Sequence, residues 1–294
     1  RAPRSDRDRL YSRALPDLSH RTRRLQEVTR GYDLDVTASS VVACLGQYAA
    51  RSKEVAQFST ARLNLPYGPD PRHKLDIFPV GPKDPVLVFI HGGYWKAGSK
   101  DTRQFPALEW SSRNVSWVCL NYRLLPHATI ADAVDDVRNA VRWLVKNGVD
   151  HGIDPTQLHI TGNSAGGHLA AMIAAEGWAD RPAIKSLTAI SGLFDLEPLL
   201  QTSARDWLSL TPPMAQELSP TNNPPPKGLP VLLGIGGAET DVFRYQMNRY
   251  GEACQQSGCP TQLFESPNAD HFQIIGEYGR PDAPLFSRIA SLIS

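Results

Sequence analysis

The chain has 294 residues, 41% hydrophobic and 21% charged, a globular composition able to form one large domain or two small ones. Its 31 lysines and arginines against 30 aspartates and glutamates leave a net charge of +1. That argues against nucleic-acid or anionic-membrane partners, which demand a basic surface, and no apolar run approaches the ~18 residues that span a bilayer.

The opening RAPRSDRDRL is charged and lacks the apolar stretch of a secretory signal. Residues 1–64 read as helical and amphipathic, as in VTASSVVACLGQYAARSKEVAQF (36–58). They are expected to form a helical lid region before a catalytic domain over 65–294. From about residue 74, short apolar runs alternate with longer helical ones. Strands are predicted at 74–78, 86–90, 115–120, 158–161, 187–191, 231–235 and 262–266, and helices at 129–148, 165–177 and 241–258. This alternation implies an α/β fold with a mostly parallel sheet and helices on both faces. The stretch 193–220 interrupts the pattern and is expected to be a short cap insertion at the edge carrying the active site. TNNPPPKGLP (221–230) reads as a rigid connector. Four scattered cysteines, Cys44, Cys119, Cys254 and Cys259, are too few for a disulfide scaffold. Unpaired thiols and a reducing cytoplasm are the expectation.

The segment LHITGNSAGGHLAAMIAAE reads strand, then Gly162-Asn163-Ser164-Ala165-Gly166, then helix. This is the G-x-S-x-G nucleophile elbow in its confirming context, a sharp turn that exposes the Ser164 hydroxyl at the sheet edge. Serine needs a base to take its proton, and the elbow predicts the chain order serine, acid, histidine. His271, after the last predicted strand, is the candidate base. The acid should follow the strand at 231–235, where Glu239 and Asp241 both stand. Asp241 also begins the next helix and would suit a cap. Upstream, FIHGGYWKAG (89–98) is a strand end followed by a glycine-rich loop. Such a loop supplies half of an oxyanion hole, with glycine letting backbone N–H groups turn inward. Gly93, Tyr94 and Ala165 are the expected amide donors, and His91 a brace. Tyr94 and Trp95 are expected to line a substrate pocket, with burial of both rings in the core as the alternative.

In this order HGGYW, NYRLLP, GNSAGGHLAA, SGLFDLEPL, ETDVFRYQ and DHF resemble the α/β-hydrolase fold over about residues 60–294. Within it they resemble the arylformamidase (kynurenine formamidase) group. Hormone-sensitive-lipase-like esterases are similar but usually carry a third glycine where this chain has Tyr94. The resemblance implies a cofactor-free Ser-His-acid hydrolase of small esters or aryl formamides, working through an acyl-enzyme, and no H-E-x-x-H or clustered Cys/His pattern suggests a metal. Its substrates would be aromatic or short-acyl molecules. It puts the acid at Glu239, where the family usually has aspartate, with Asp241 as the rival. Asn163 stands where the formamidases commonly have histidine, and Gly167 where they have alanine. A hydrolase-fold receptor that binds a small molecule without turnover is the rival from another class.

Overall fold

Strand β3 (Val86–Ile90) is apolar and buried at every position, so it must lie inside a sheet covered on both faces. A computed structural model describes residues 30–32, 40–58, 60–176 and 184–294 and shows that sheet. The described residues form eight strands in the order β1-β2-β4-β3-β5-β6-β7-β8. They are β1 (Arg62–Pro66), β2 (Lys74–Phe78), β3, β4 (Ser116–Leu120), β5 (Leu158–Asn163), β6 (Ile184–Ile190), β7 (Val231–Gly236) and β8 (Thr261–Ser266). β2 runs antiparallel to both its neighbours, and every pair from β4 to β8 is parallel.

The pleat divides the core. Val86, Val88 and Ile90 join the residues under α3 (Ile130–Asn147), α4 (Ala165–Ala174) and α7 (Asp241–Gln256). Leu87 and Phe89 join the opposite face, under α2 (Ala107–Ser111) and α8 (Pro284–Ile293). Helix α3 begins where the Thr129 side chain accepts the Asp132 N–H and Asp132 accepts the Thr129 N–H, satisfying two donors of the first turn. Its buried stripe of Ile130, Val134, Val137, Val141 and Leu144 then lies along the sheet.

The strand order places the site. From β3 the chain moves to β4 on one side, and β5 then returns to the other side of β3. The loops leaving β3 and β5 therefore diverge from adjacent strand ends, which opens a crevice at the carboxyl edge.

One feature differs from the sequence expectation. The edge strand β1 was not anticipated, because RLNLP has exposed side chains at most positions and no apolar run. It crosses the 64/65 boundary and pairs with β2, so residues 62–64 belong to the sheet. The lid expected over 1–64 falls largely on 1–29 and 33–39, outside the described residues. Its described helix, α1 (Val41–Val55), is pinned to the loop after β8: Ser40 Oγ donates to Asp270 Oδ2 at 2.5 Å and Tyr48 O–H to the Phe272 carbonyl at 2.7 Å. Within residues 193–220, between β6 and β7, lie the short helices α5 (Ala204–Leu208) and α6 (Pro212–Glu217). The rim is stiffened by Lys100, whose buried Nζ lies 2.9 Å from Asp76 and 2.8 Å from Asn64 Oδ1.

Removing one partner of a buried ion pair strands the other charge, at about 3–5 kcal/mol. Lys100→Met should therefore destabilise the chain on that scale in urea unfolding, and adding Asp76→Leu should recover part of the loss. A cost below about 1 kcal/mol for the single variant would remove the pair from the supports of this edge.

Candidate active site

The elbow is built from a backbone crossing that leaves no room for side chains. A Cβ at Gly166 would fall on the carbonyl oxygen of Ile90, and one at Gly162 on that of Gly166. The turn between them forces Ser164 to φ 55° and ψ −125°, a conformation that costs a non-glycine residue free energy and clusters at functional sites. Its N–H donates to the Ile190 carbonyl at 2.8 Å and its carbonyl accepts the His168 N–H at 3.1 Å. Helix α4 starts at Ala165, so that amide has no carbonyl one turn back and lies at the positive end of the helix.

His271 and Glu239 meet on the loops after β8 and β7. The His271 Nδ1–H donates to Glu239 Oε2 at 2.6 Å, and both side chains are buried. Glu239 Oε1 accepts from Ser191 Oγ at 2.5 Å and from the Gly236 N–H at 2.7 Å. A carboxylate held this way fixes the imidazole tautomer and leaves Nε2 as the proton acceptor. His271 Nε2 has no hydrogen-bond partner among the described residues. Ser164 and His271 line one cavity of about 480 Å³, the size of a small-molecule site.

Asp241, the rival acid, is not in this cluster. Its side chain is fully exposed and reaches Arg244 at 3.4 Å. Nor is it the helix cap: Thr240 holds that position, and its hydroxyl donates to the Gly31 carbonyl at 2.8 Å. Asp241 is the first helical residue, where its charge complements the helix dipole.

The loop after β3 carries three consecutive positive φ values, 120° at Gly93, 52° at Tyr94 and 56° at Trp95. The amide of Gly92, just before them, donates to Asn163 Oδ1 at 3.3 Å, which ties the loop to the elbow. His91 braces it from beneath. Its Nδ1–H donates to the Gly92 carbonyl at 2.8 Å, and its ring stacks on Tyr122 at 4.5 Å. Burial pushes its pKa down to about 3, so the ring is a neutral donor.

Trp95, expected in the pocket, is 0% exposed and belongs to the core. Its ring meets His168 edge-on at 5.0 Å beneath the loop. Tyr94 does face the cavity, and its hydroxyl donates to the Tyr32 carbonyl at 2.8 Å. The aromatic partner missed in the sequence is Trp207 of the insertion, edge-on to Tyr94 at 5.4 Å and with the Lys96 ammonium 4.1 Å above its ring. Its signal was modest: a large ring inside a segment already expected to cap the site. His168 reaches the same insertion, donating from Nε2 to the Leu218 carbonyl at 2.8 Å. All four cysteines are buried and free, no described helix is long and apolar enough to cross a membrane, and no described cluster of three or more His, Cys, Asp or Glu is placed to hold a metal ion.

Comparison with known proteins agrees with this fold. The BD-FAE family matches residues 75–192. Kynurenine formamidase of Salmo salar is 31% identical over 253 residues, covering 82% of this chain and 83% of that protein. A crystal structure from Silicibacter sp. TM1040, of a protein proposed to be a thioesterase, superposes with a TM-score of 0.79 at 28% identity, over 90% of this chain and 99% of that one. Esterase B of Lactobacillus rhamnosis is similar in fold, with a TM-score of 0.65 at 19% identity over 89% of this chain and 96% of its own.

The buried histidines give stability a defined pH dependence. Burial lowers His91 to about 3, and His159 and His168 to about 4. The unfolded chain protonates these rings below about pH 6.5, and the folded chain does so only near the lowered values. Their contribution is therefore fully present above about pH 6.5 and is lost as pH falls towards 4, at up to about 1.4 kcal/mol per pH unit for each histidine. Denaturant unfolding at pH 7, 6 and 5 should show this decline; a flat profile would contradict it.

Proposed function

The chain belongs to the kynurenine formamidase family of α/β-hydrolases and is a hydrolase enzyme, and from that premise we propose that it cleaves small carboxylic esters or aryl formamides through an acyl-enzyme on Ser164. The observation that carries the reading is the buried 2.6 Å contact of His271 with Glu239 on the wall that also holds the strained Ser164.

In this mechanism His271 Nε2 takes the Ser164 hydroxyl proton as Oγ attacks the carbonyl carbon. Negative charge then develops on the former carbonyl oxygen. The amides of Ala165, Gly93 and Tyr94 are the proposed donors to it, a stabilisation of several kcal/mol where such groups are preorganised. Glu239 holds the imidazolium in place. Collapse expels the alcohol or arylamine, which receives the proton from His271. Water, deprotonated by the same nitrogen, next attacks the acyl-serine, and the second collapse releases the acid and restores Ser164. Hydrogen bonding at the end of β7 supports Glu239 over Asp241 as the acid. Tyr94 and Trp207 favour an aromatic or short-acyl substrate. A receptor without turnover would leave the strain at Ser164 and the oriented imidazole without a use. The free thiols fit a cytoplasmic setting.

Ser164→Ala should lower kcat by about 10⁴-fold or more with the fold intact, and a fluorophosphonate should label this serine alone. Glu239→Gln should cost kcat by about 10⁴-fold, the scale of the equivalent change in the protease triad. Asp241→Asn should leave kcat within about threefold, since its exposed carboxylate orients nothing. Strong turnover in folded Ser164→Ala, or interchanged results for the two acids, would overturn the assignment.

Pocket recognition has its own signature. Trp207→Ala should reduce kcat/KM for an aryl ester by about 1–3 kcal/mol, and by less for an alkyl ester. Equal losses on both would give the ring a structural role.

A further inference from the structure

The charged side chains on the cavity wall are unbalanced. Lys96 and Arg103 line it, and no aspartate or glutamate is among the described lining residues. Lys96 has the Trp207 ring as its partner. Arg103 is only 5% exposed, and among the described residues its guanidinium meets neutral groups alone: the Thr102 carbonyl at 2.9 Å, the Thr102 hydroxyl at 2.7 Å and the Tyr48 ring at 5.7 Å. Its Nε has no partner among the described residues. The contrast with Lys100, three residues earlier, is direct, because that buried cation has Asp76 at 2.9 Å.

A cation taken out of water without a counter-charge is unfavourable unless something supplies the charge. Burial pushes the Arg103 pKa down only to about 10, so the group stays charged at neutral pH. Its backbone is firmly placed, with its N–H donating to the Lys100 carbonyl at 2.8 Å and its carbonyl accepting from Trp117 Nε1 at 2.9 Å. A fixed, desolvated guanidinium on the wall of a small-molecule cavity is suited to a planar anion.

The geometry points to Arg103 as the counter-charge for a carboxylate carried by the substrate, which makes the site one for anionic rather than neutral small esters or formamides. This rests on the hydrolytic reading of Ser164 and narrows its substrate class. The side of the scissile bond that carries the carboxylate is left to experiment.

Two matched pairs test it, each a carboxylate against its isosteric amide. One pair has the charge on the leaving group, 2-formamidobenzoate against 2-formamidobenzamide. The other has it on the acyl group, mono(4-nitrophenyl) succinate against 4-nitrophenyl succinamate. For at least one pair the intact enzyme should favour the carboxylate by about tenfold or more in kcat/KM, the scale of a charge-assisted hydrogen bond. Arg103→Met should collapse that ratio, and Arg103→Lys should retain part of it. Calorimetry on Ser164→Ala supplies a readout free of turnover: benzoate should bind more tightly than benzamide, and the added Arg103→Met change should abolish the difference. Turnover of both pairs without preference for the carboxylate would overturn the inference and leave the hydrolase reading standing. Arg103-dependent binding of benzoate without turnover of any substrate would do the reverse. If Arg103→Met does not fold, the intact chain and Arg103→Lys decide, and amides preferred or equal in both pairs would overturn the proposal.

Discussion

Between β5 and α4 the chain must turn in a space that excludes a Cβ at Gly162 and at Gly166. The helix can therefore start only one residue past Ser164, and the serine absorbs the reversal as a positive φ. This steric limit sets much of what surrounds it. The hydroxyl stands at the carboxyl edge of the sheet, and the first unpaired amide of α4 is next to it. Gly92 packs so closely on Asn163 that a Cβ there would meet the Asn163 carbonyl oxygen at 2.7 Å. The loop after β3 is consequently held against the elbow by contact, with the Asn163 side chain adding a hydrogen bond.

Histidine has several roles in this fold, and its partner decides which. His91, His159 and His168 are buried against a carbonyl, a hydroxyl and a carbonyl respectively. Desolvation keeps each neutral, so each works as a fixed hydrogen-bonding strut. His271 instead faces a carboxylate that is held by two other donors. Such an environment stabilises the imidazolium that a proton-transfer step would form. Two buried cations among the described residues differ in the same way: Lys100 has a carboxylate partner, and Arg103 has none.

Much of this was legible in the sequence because the elbow, the chain order of its partners and the apolar strands are linear signals. The limits were equally physical. Strand β1 is a solvent-facing edge whose pairing depends on β2 rather than on its own pattern. Tyr94 and Trp95 are adjacent in the chain, yet consecutive positive φ values send one ring to the cavity and the other into the core. No periodicity encodes that divergence. Glu239 and Asp241 lie two residues apart, and the start of α7 between them separates a buried carboxylate from a solvated one. Arg103 belongs to no motif, and its significance lies in the partners it lacks, which only coordinates reveal.

The segment before the sheet enters the site in a way composition could not disclose. Helix α1 is bonded to Asp270 and Phe272, the residues on either side of His271. Tyr32 receives the Tyr94 hydroxyl on its carbonyl, and its own hydroxyl accepts from Gln246 of α7. His271 is thus held by Glu239 through its ring and by α1 through its backbone neighbours, while Tyr32 ties the loop after β3 to the helix that follows Glu239. Angular precision at a reacting centre depends on such support, since misplacement of about 1 Å costs roughly 10²-fold in rate. In its described part, the N-terminal segment therefore forms a wall of the candidate site, joining loops that the sheet alone leaves at separate strand ends.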